Sequence, residues 1–222
     1  MAQRFHRIFG LLSALSGVAG CAPTAHTQAA PTAHAARSSP TGFLEGKAGR
    51  VRSRTLDFPI ELSLPDKASW QINEGPSWLV AEQRSSSAQL ALRTWRAERL
   101  VRRADCEAQA RLSRGSIPIV HDDAIVERRA LQAPADFDNE LLVGVEPGAH
   151  GISGYALVFG ASIGRCYAAV FTTSVTGKDA EVAVAARLGL AVDRILSGVR
   201  VREVDERAPR RHLVGTEKAA SK

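Results

Sequence analysis

Between Phe58 and Leu64 large apolar residues stand at every second position, Phe58, Ile60, Leu62 and Leu64, with polar or small residues between them. A period of two puts these side chains on one face of a β-strand, which the turn at Pro65-Asp66 ends. Trp70-Gln71-Ile72 and Trp78-Leu79-Val80 flank Glu74-Gly75-Pro76, so they read as a second and a third strand joined by a turn. Residues 88–95 repeat the alternation, with Leu90, Leu92 and Thr94 on one side. The period then changes. Over residues 97–114, Leu100, Ala104, Ala108 and Leu112 fall on one helical stripe into which Arg111 intrudes. Past Gly115 and Pro118 no period holds until residues 141–145, 154–161 and 165–174, which are apolar and β-branched or aromatic enough for strands. The last two form a hairpin about Ser162-Ile163-Gly164. Residues 178–197 give the clearest helix, because Val184, Leu188, Val192, Ile195 and Val199 share a face and Gly198 supplies a stop.

Strands in hairpin order, two separated helices and no strand–helix–strand rhythm predict an α+β protein. Its sheet is mainly antiparallel, with an internal helix and a C-terminal amphipathic helix packed on one face.

Over 222 residues the chain is 45% hydrophobic and 23% charged, ordinary averages that hide an uneven distribution. Residues 1–20 open with Arg4 and Arg7 and continue into thirteen residues, Ile8 to Gly20, without a charge. A span of the hydrocarbon core needs ~20 apolar residues, so this run matches a signal-peptide core instead. Residues 21–52 are rich in Ala, Thr, Pro, His and Ser and read as a flexible tether, too polar to offset its ordering entropy. Residues 53–202 then make one α+β domain, and residues 203–222 a charged, solvated tail. The formal charge of +6 includes Arg4 and Arg7, so the chain beyond the leader carries +4. With aromatics at 5% and no basic element interleaved with them, this is no nucleic-acid binder. Over residues 203–222 a solvated tail is the preferred reading, and a basic patch over Arg207–His212 (Arg207, Arg210, Arg211 and His212) touching anionic lipid or glycan is the alternative.

Val18-Ala19-Gly20-Cys21 resembles the lipobox of bacterial lipoproteins, an aliphatic residue and two small ones before a cysteine. The resemblance implies cleavage before Cys21, a diacylglycerol thioether on its sulfur and a fatty chain of palmitate type on the new amino terminus. Each buried methylene contributes ~0.8 kcal/mol, so two or more chains hold a protein that one would release. Ala22 stands where enteric lipoproteins kept in the inner membrane have aspartate, which implies transfer to the outer membrane. An ordinary secretory signal cut nearby is the alternative. Farther on, Phe58-Pro-Ile-Glu-Leu-Ser-Leu-Pro65, then Trp70, a late hairpin and a closing helix ending in Ile195-Leu196-Ser197 resemble the PsbP-like sandwich family. That resemblance implies a binding or assembly factor without catalysis.

Candidate chemistry is sparse. Cys106 and Cys166 are the only cysteines besides Cys21, and export to an oxidising compartment favours a disulfide between them. On an ideal wheel Cys106 sits nearly opposite the Leu100/Ala104/Ala108 stripe, so either the helix begins near Asp105 or the thiol faces outward. A reactive thiol would want a histidine nearby, and none is close in sequence. Gly160-Ala161-Ser162-Ile163-Gly164 spells the nucleophile-elbow pattern, but residues 165–171 read as a strand where the elbow needs a helix. His121-Asp122-Asp123 holds metal-ligand types without partners at ligand spacing, His26 and His34 stand in the tether, and His150 reads as a turn. Gly151-Ile152-Ser153-Gly154 lacks the Gly-Lys-Ser of a phosphate loop. The expectation is therefore a protein with no catalytic, metal or cofactor residues, bound to a membrane through Cys21 and acting on an envelope protein or glycan. A small envelope serine hydrolase using Ser162 is the alternative, and a purely structural role a third. Mass spectrometry of the native product should find an acylated amino terminus at Cys21; a free amino terminus elsewhere would overturn the anchor.

Overall fold

A computed structural model of the protein describes residues 39–53, 55–113, 117–118, 121–148 and 151–202. Their elements begin with α1 (Gly42–Glu45), β1 (Ala48–Arg52), β2 (Ile60–Pro65), β3 (Gln71–Glu74), β4 (Leu79–Gln83) and β5 (Ala88–Arg96). They continue with α2 (Arg103–Leu112), β6 (Ile125–Ala130), β7 (Asp138–Gly148), β8 (Gly151–Ser162), β9 (Arg165–Val175), α3 (Ala180–Arg194) and β10 (Arg200–Val201). All strand pairs are antiparallel. They make a three-stranded sheet in the order β1-β2-β10 and a seven-stranded sheet in the order β3-β4-β5-β9-β8-β7-β6. The α+β class and its antiparallel sheet are as the periodicity predicts.

Alternation along the central strands separates two cores. On one face of the large sheet Leu90, Leu92, Val158, Ala169 and Phe171 meet α3 and the inward side chains Ile60, Leu62 and Leu64 of β2. On the other, Ala91, Leu157, Phe159, Ala168 and Val170 meet α2. Helix therefore covers both faces, the C-terminal helix one and the internal helix the other. The stripe predicted for α3 is the buried one: Val184, Leu188, Val192 and Ile195 are all nearly inaccessible. Burial of each contributes about 1.5–3 kcal/mol. A Cβ on Gly154 would come within 2.4 Å of Val184, so this glycine lets α3 approach the sheet.

The stripe predicted for the internal helix is a correction. Leu100 and Leu112 are 78% and 82% exposed, whereas Cys106 and Ala110, one turn apart, are buried. The reason is covalent. Cys166 points into the second core from β9 and is joined to Cys106, 60 residues earlier, with the Cα atoms 5.6 Å apart. The bond rotates α2 so that Cys106 and Ala110 face the sheet, and Trp95 Nε1 donates to Gln109 Oε1 at 2.8 Å beside it. Four leucine and alanine positions cannot outvote a disulfide.

Order also begins earlier than the expected tether boundary. Residues 42–52 form α1 and β1 because Leu44 and Val51, among mostly polar neighbours, are buried in the first core, and Phe43 packs on Trp70 with ring centroids 5.8 Å apart. Arg187 holds this segment down. Its buried guanidinium donates to the carbonyls of Pro40 (2.7 Å) and Ser86 (2.8 Å) and to Thr173 Oγ1 (2.9 Å). Desolvation lowers its pKa. The core, the disulfide and these contacts all lie within residues 39–202, so this part carries what it needs to fold. Among the described residues no helix is long and apolar enough to cross a membrane.

Replacing Cys106 and Cys166 together by Ala should lower stability by about 4 kcal/mol, the loop-closure entropy of a 60-residue ring. Urea unfolding of the oxidised and double-variant chains measures it.

Candidate functional site

The loop of residues 131–137 joins β6 to β7, and its residues 132–137 line a cleft of about 410 Å³ together with Arg165 and residues 197–201. The loop is fixed from beneath. Asn139 shares the inward parity of Leu141 and Val143 and is 3% exposed; its Nδ2 donates to the carbonyls of Pro134 (2.9 Å) and Leu131 (3.2 Å). Its Oδ1 accepts from the hydroxyl of Tyr167, 2.9 Å away, which also lies 3.1 Å from the Ala133 carbonyl. Burial raises the Tyr167 phenol far above its ordinary range, so it stays a donor. Tyr167 in turn meets Phe137 edge-on at 5.3 Å, and the Arg165 guanidinium lies over the outer face of Phe137, 5.2 Å from its centre. A partly buried cation on a ring, Arg200 in the lining and a loop pinned from beneath through three of its carbonyls make a rigid wall that suits an anionic group.

Ser162, at the end of β8, is not part of the lining of this cleft and meets it only through Arg165. Arg165 Nη2 is 3.4 Å from its Oγ. A guanidinium cannot take a proton, so the nearest polar neighbour is the wrong chemistry for a general base. The chain continues as β9, not as a helix, so no helix N-terminus supplies amides for an oxyanion. Each glycine of the pattern has its own steric cause. A Cβ on Gly160 would stand 2.0 Å from the Tyr167 ring and 2.5 Å from Asn139 Oδ1, and Gly164 has φ +63° in the β8–β9 turn. The match to a nucleophile elbow is a hairpin turn placed beside a tyrosine.

The structure does not bring the other sequence candidates together. His121, Asp122 and Asp123 belong to a single exposed 3-10 turn, Asp122–Ala124, and no group of three metal-ligand side chains that could hold an ion occurs among the described residues. Cys106 and Cys166 are joined inside the second core, away from the cleft. Cys21, His26, His34, His150 and the tail patch Arg207, Arg210, Arg211 and His212 lie outside the described residues. Asn139, Phe137 and Tyr167 escaped the sequence reading. One signal was available, a polar Asn139 at the parity of buried Leu141 and Val143.

No family model matches the chain, and no curated protein matches it. Solved structures with a partly similar backbone include the Ran-binding protein Mog1p of Saccharomyces cerevisiae, 9% identical, with a TM-score of 0.43 over 70% of this chain and 96% of that one. LpqN of Mycobacterium tuberculosis, involved in cell envelope biogenesis, is 12% identical, with a TM-score of 0.39 over 72% of this chain and 95% of that one. A Bacteroides thetaiotaomicron protein is 8% identical, with a TM-score of 0.40 over 65% of this chain; the match spans 45% of that protein. Likenesses this loose leave the reading to rest on the residues above.

Gly160→Ala should destabilise the fold by about 1–3 kcal/mol through overpacking against Tyr167. Tyr167→Phe should cost about 1–3 kcal/mol by stranding Asn139 Oδ1. Denaturant melts of both variants decide whether the clamp is as tight as its geometry.

Proposed function

We propose that this chain is a lipid-anchored protein of the bacterial cell envelope, held at the outer membrane through Cys21, whose folded part binds a partner and catalyses nothing. The anchor rests on Val18-Ala19-Gly20-Cys21 and the charge-free run before it. The observation that carries the binding role is the preset cleft wall: Asn139 and Tyr167, both buried, fix three carbonyls of residues 131–134 and the seat of Phe137 under Arg165. Rigid walls lower the ordering cost of association, which is where affinity is lost. The partner is an envelope protein segment or glycan presenting an anionic or carbonyl-rich group to Arg165 and Arg200. The hydrolase alternative has one support, the letters of residues 160–164, and Arg165 stands where its base would have to be.

A photo-crosslinking residue placed at Asp136, on the exposed lip of the cleft, should trap a discrete adduct in intact envelopes, and one at Ser85 should not. Arg165→Ala should reduce the adduct and Ser162→Ala should leave it. Covalent labelling of Ser162 by a fluorophosphonate probe would replace this reading with the hydrolase one.

A further inference from the structure

The outward face of the three-stranded sheet is rich in arginine. Register places Arg52, Glu61 and Arg200 side by side across β1, β2 and β10, with Arg50 opposite Ser63 on the same face. Arg202 comes just after β10 and reaches Glu61 at 2.9 Å, while Arg50 approaches the same carboxylate at 3.7 Å. Four arginines thus surround one acid. Glu61 neutralises part of Arg50 and Arg202, and Arg52 and Arg200 hold no ion pair among the described residues. Lys67 lies beside the face rather than on it: its stem packs against Gly49, at the parity of buried Val51, and its Nζ donates to the Arg50 carbonyl at 2.9 Å. Beside β1 lies a recess of about 530 Å³ lined by Arg50, Arg52, Lys67, Ser53, Leu56 and Pro59, without a carboxylate.

An arginine-rich sheet face gains nothing for the fold. Like charges on neighbouring strands repel, and exposed pairs with one shared acid stabilise little. The arrangement is compensated when an anionic surface lies against it. Position names the surface. The patch is carried by β1, the first strand of the folded part, and the eighteen peptide units from Cys21 to Ser39 span at most roughly 60 Å.

We infer that the outer face of the β1-β2-β10 sheet docks on the anionic headgroups of the membrane that holds the lipid, turning the cleft of residues 131–137 to a fixed orientation. This rests on the anchor reading for its direction, but the charge of the face can be tested without an anchor. Each cation held near an anionic surface tightens binding by about five-fold at low salt. Screening should erase most of it near 0.5 M salt, where the Debye length is about 4 Å.

The test uses the chain from residue 22 to 222, which contains the whole folded part and no acyl group, with vesicles of phosphatidylglycerol in phosphatidylcholine against pure phosphatidylcholine. Co-sedimentation is expected with the anionic vesicles only. The triple variant Arg50→Gln, Arg52→Gln, Arg202→Gln should bind about a hundred-fold more weakly; Arg200 is left intact because it also lines the cleft. Glu61→Gln should bind about five-fold more tightly, an effect in the opposite direction that misfolding cannot imitate. Equal sedimentation of wild type and triple variant, no sedimentation of wild type, or weaker binding by Glu61→Gln overturns the proposal. So does binding to soluble polyphosphate with none to the vesicles. A failed anchor is separately visible, because the native chain would then show a free amino terminus while these vesicle results stood.

Discussion

Burial of β8 and β9 on both faces is the constraint on which the rest of the molecule depends. A strand with one wet face needs apolar residues at alternate positions; a strand between two cores needs them at every position. Residues 155–159 and 166–171 satisfy that, with odd and even members entering different cores. Once these two strands are committed, both sheet faces must be roofed. Helix α3 covers one face and α2, held by the Cys106–Cys166 bond, covers the other. The small sheet is then free to present a polar outer surface, since its inward side chains Val51, Ile60, Leu62 and Leu64 are the ones that enter a core.

Legibility divides along the same line. Elements whose burial is one-sided and regular, β2 and α3, could be read because their period is a direct image of the surface they cover. The uniform run of β8 and β9 was readable as strand by residue type, although periodicity could not say that both faces were covered. Edge elements were not legible. Strand β6 is exposed along almost its whole length, and β1 contributes only Val51 to the interior, so neither has a pattern to detect. For α2 the pattern existed and misled. Leu100, Ala104, Ala108 and Leu112 form a fair stripe, but a helix of ten residues with mostly polar character is placed by its strongest single constraint, and a covalent bond exceeds four small contacts.

The candidate site shows the same division. The glycines that flank Ser162 match a catalytic pattern, yet glycine at 160 answers to the ring of Tyr167 and glycine at 164 to a left-handed turn. The residues that shape the cleft are a buried amide and a buried phenol, drawn together across 28 positions by strand pairing. Sequence spacing carries no trace of such a meeting. What it could carry was the conflict at Asn139, a polar side chain at an apolar parity, and conflicts of that kind mark the places where a fold spends stability on shape.

Arg187 gives the molecule a mechanical character. Force arriving along the backbone from upstream of Pro40 is received first by a guanidinium that grips that carbonyl and, at its other nitrogen, the carbonyl of Ser86 and the hydroxyl of Thr173. Arg194 adds a second grip on the Glu45 carbonyl, one further along the same helix. Tension is thereby shared between a helix, the turn between β4 and β5, and strand β9 before it can peel β1 from its neighbour. The bonds are loaded together, as rivets in a lap joint are, and not one after another like the teeth of a zip fastener.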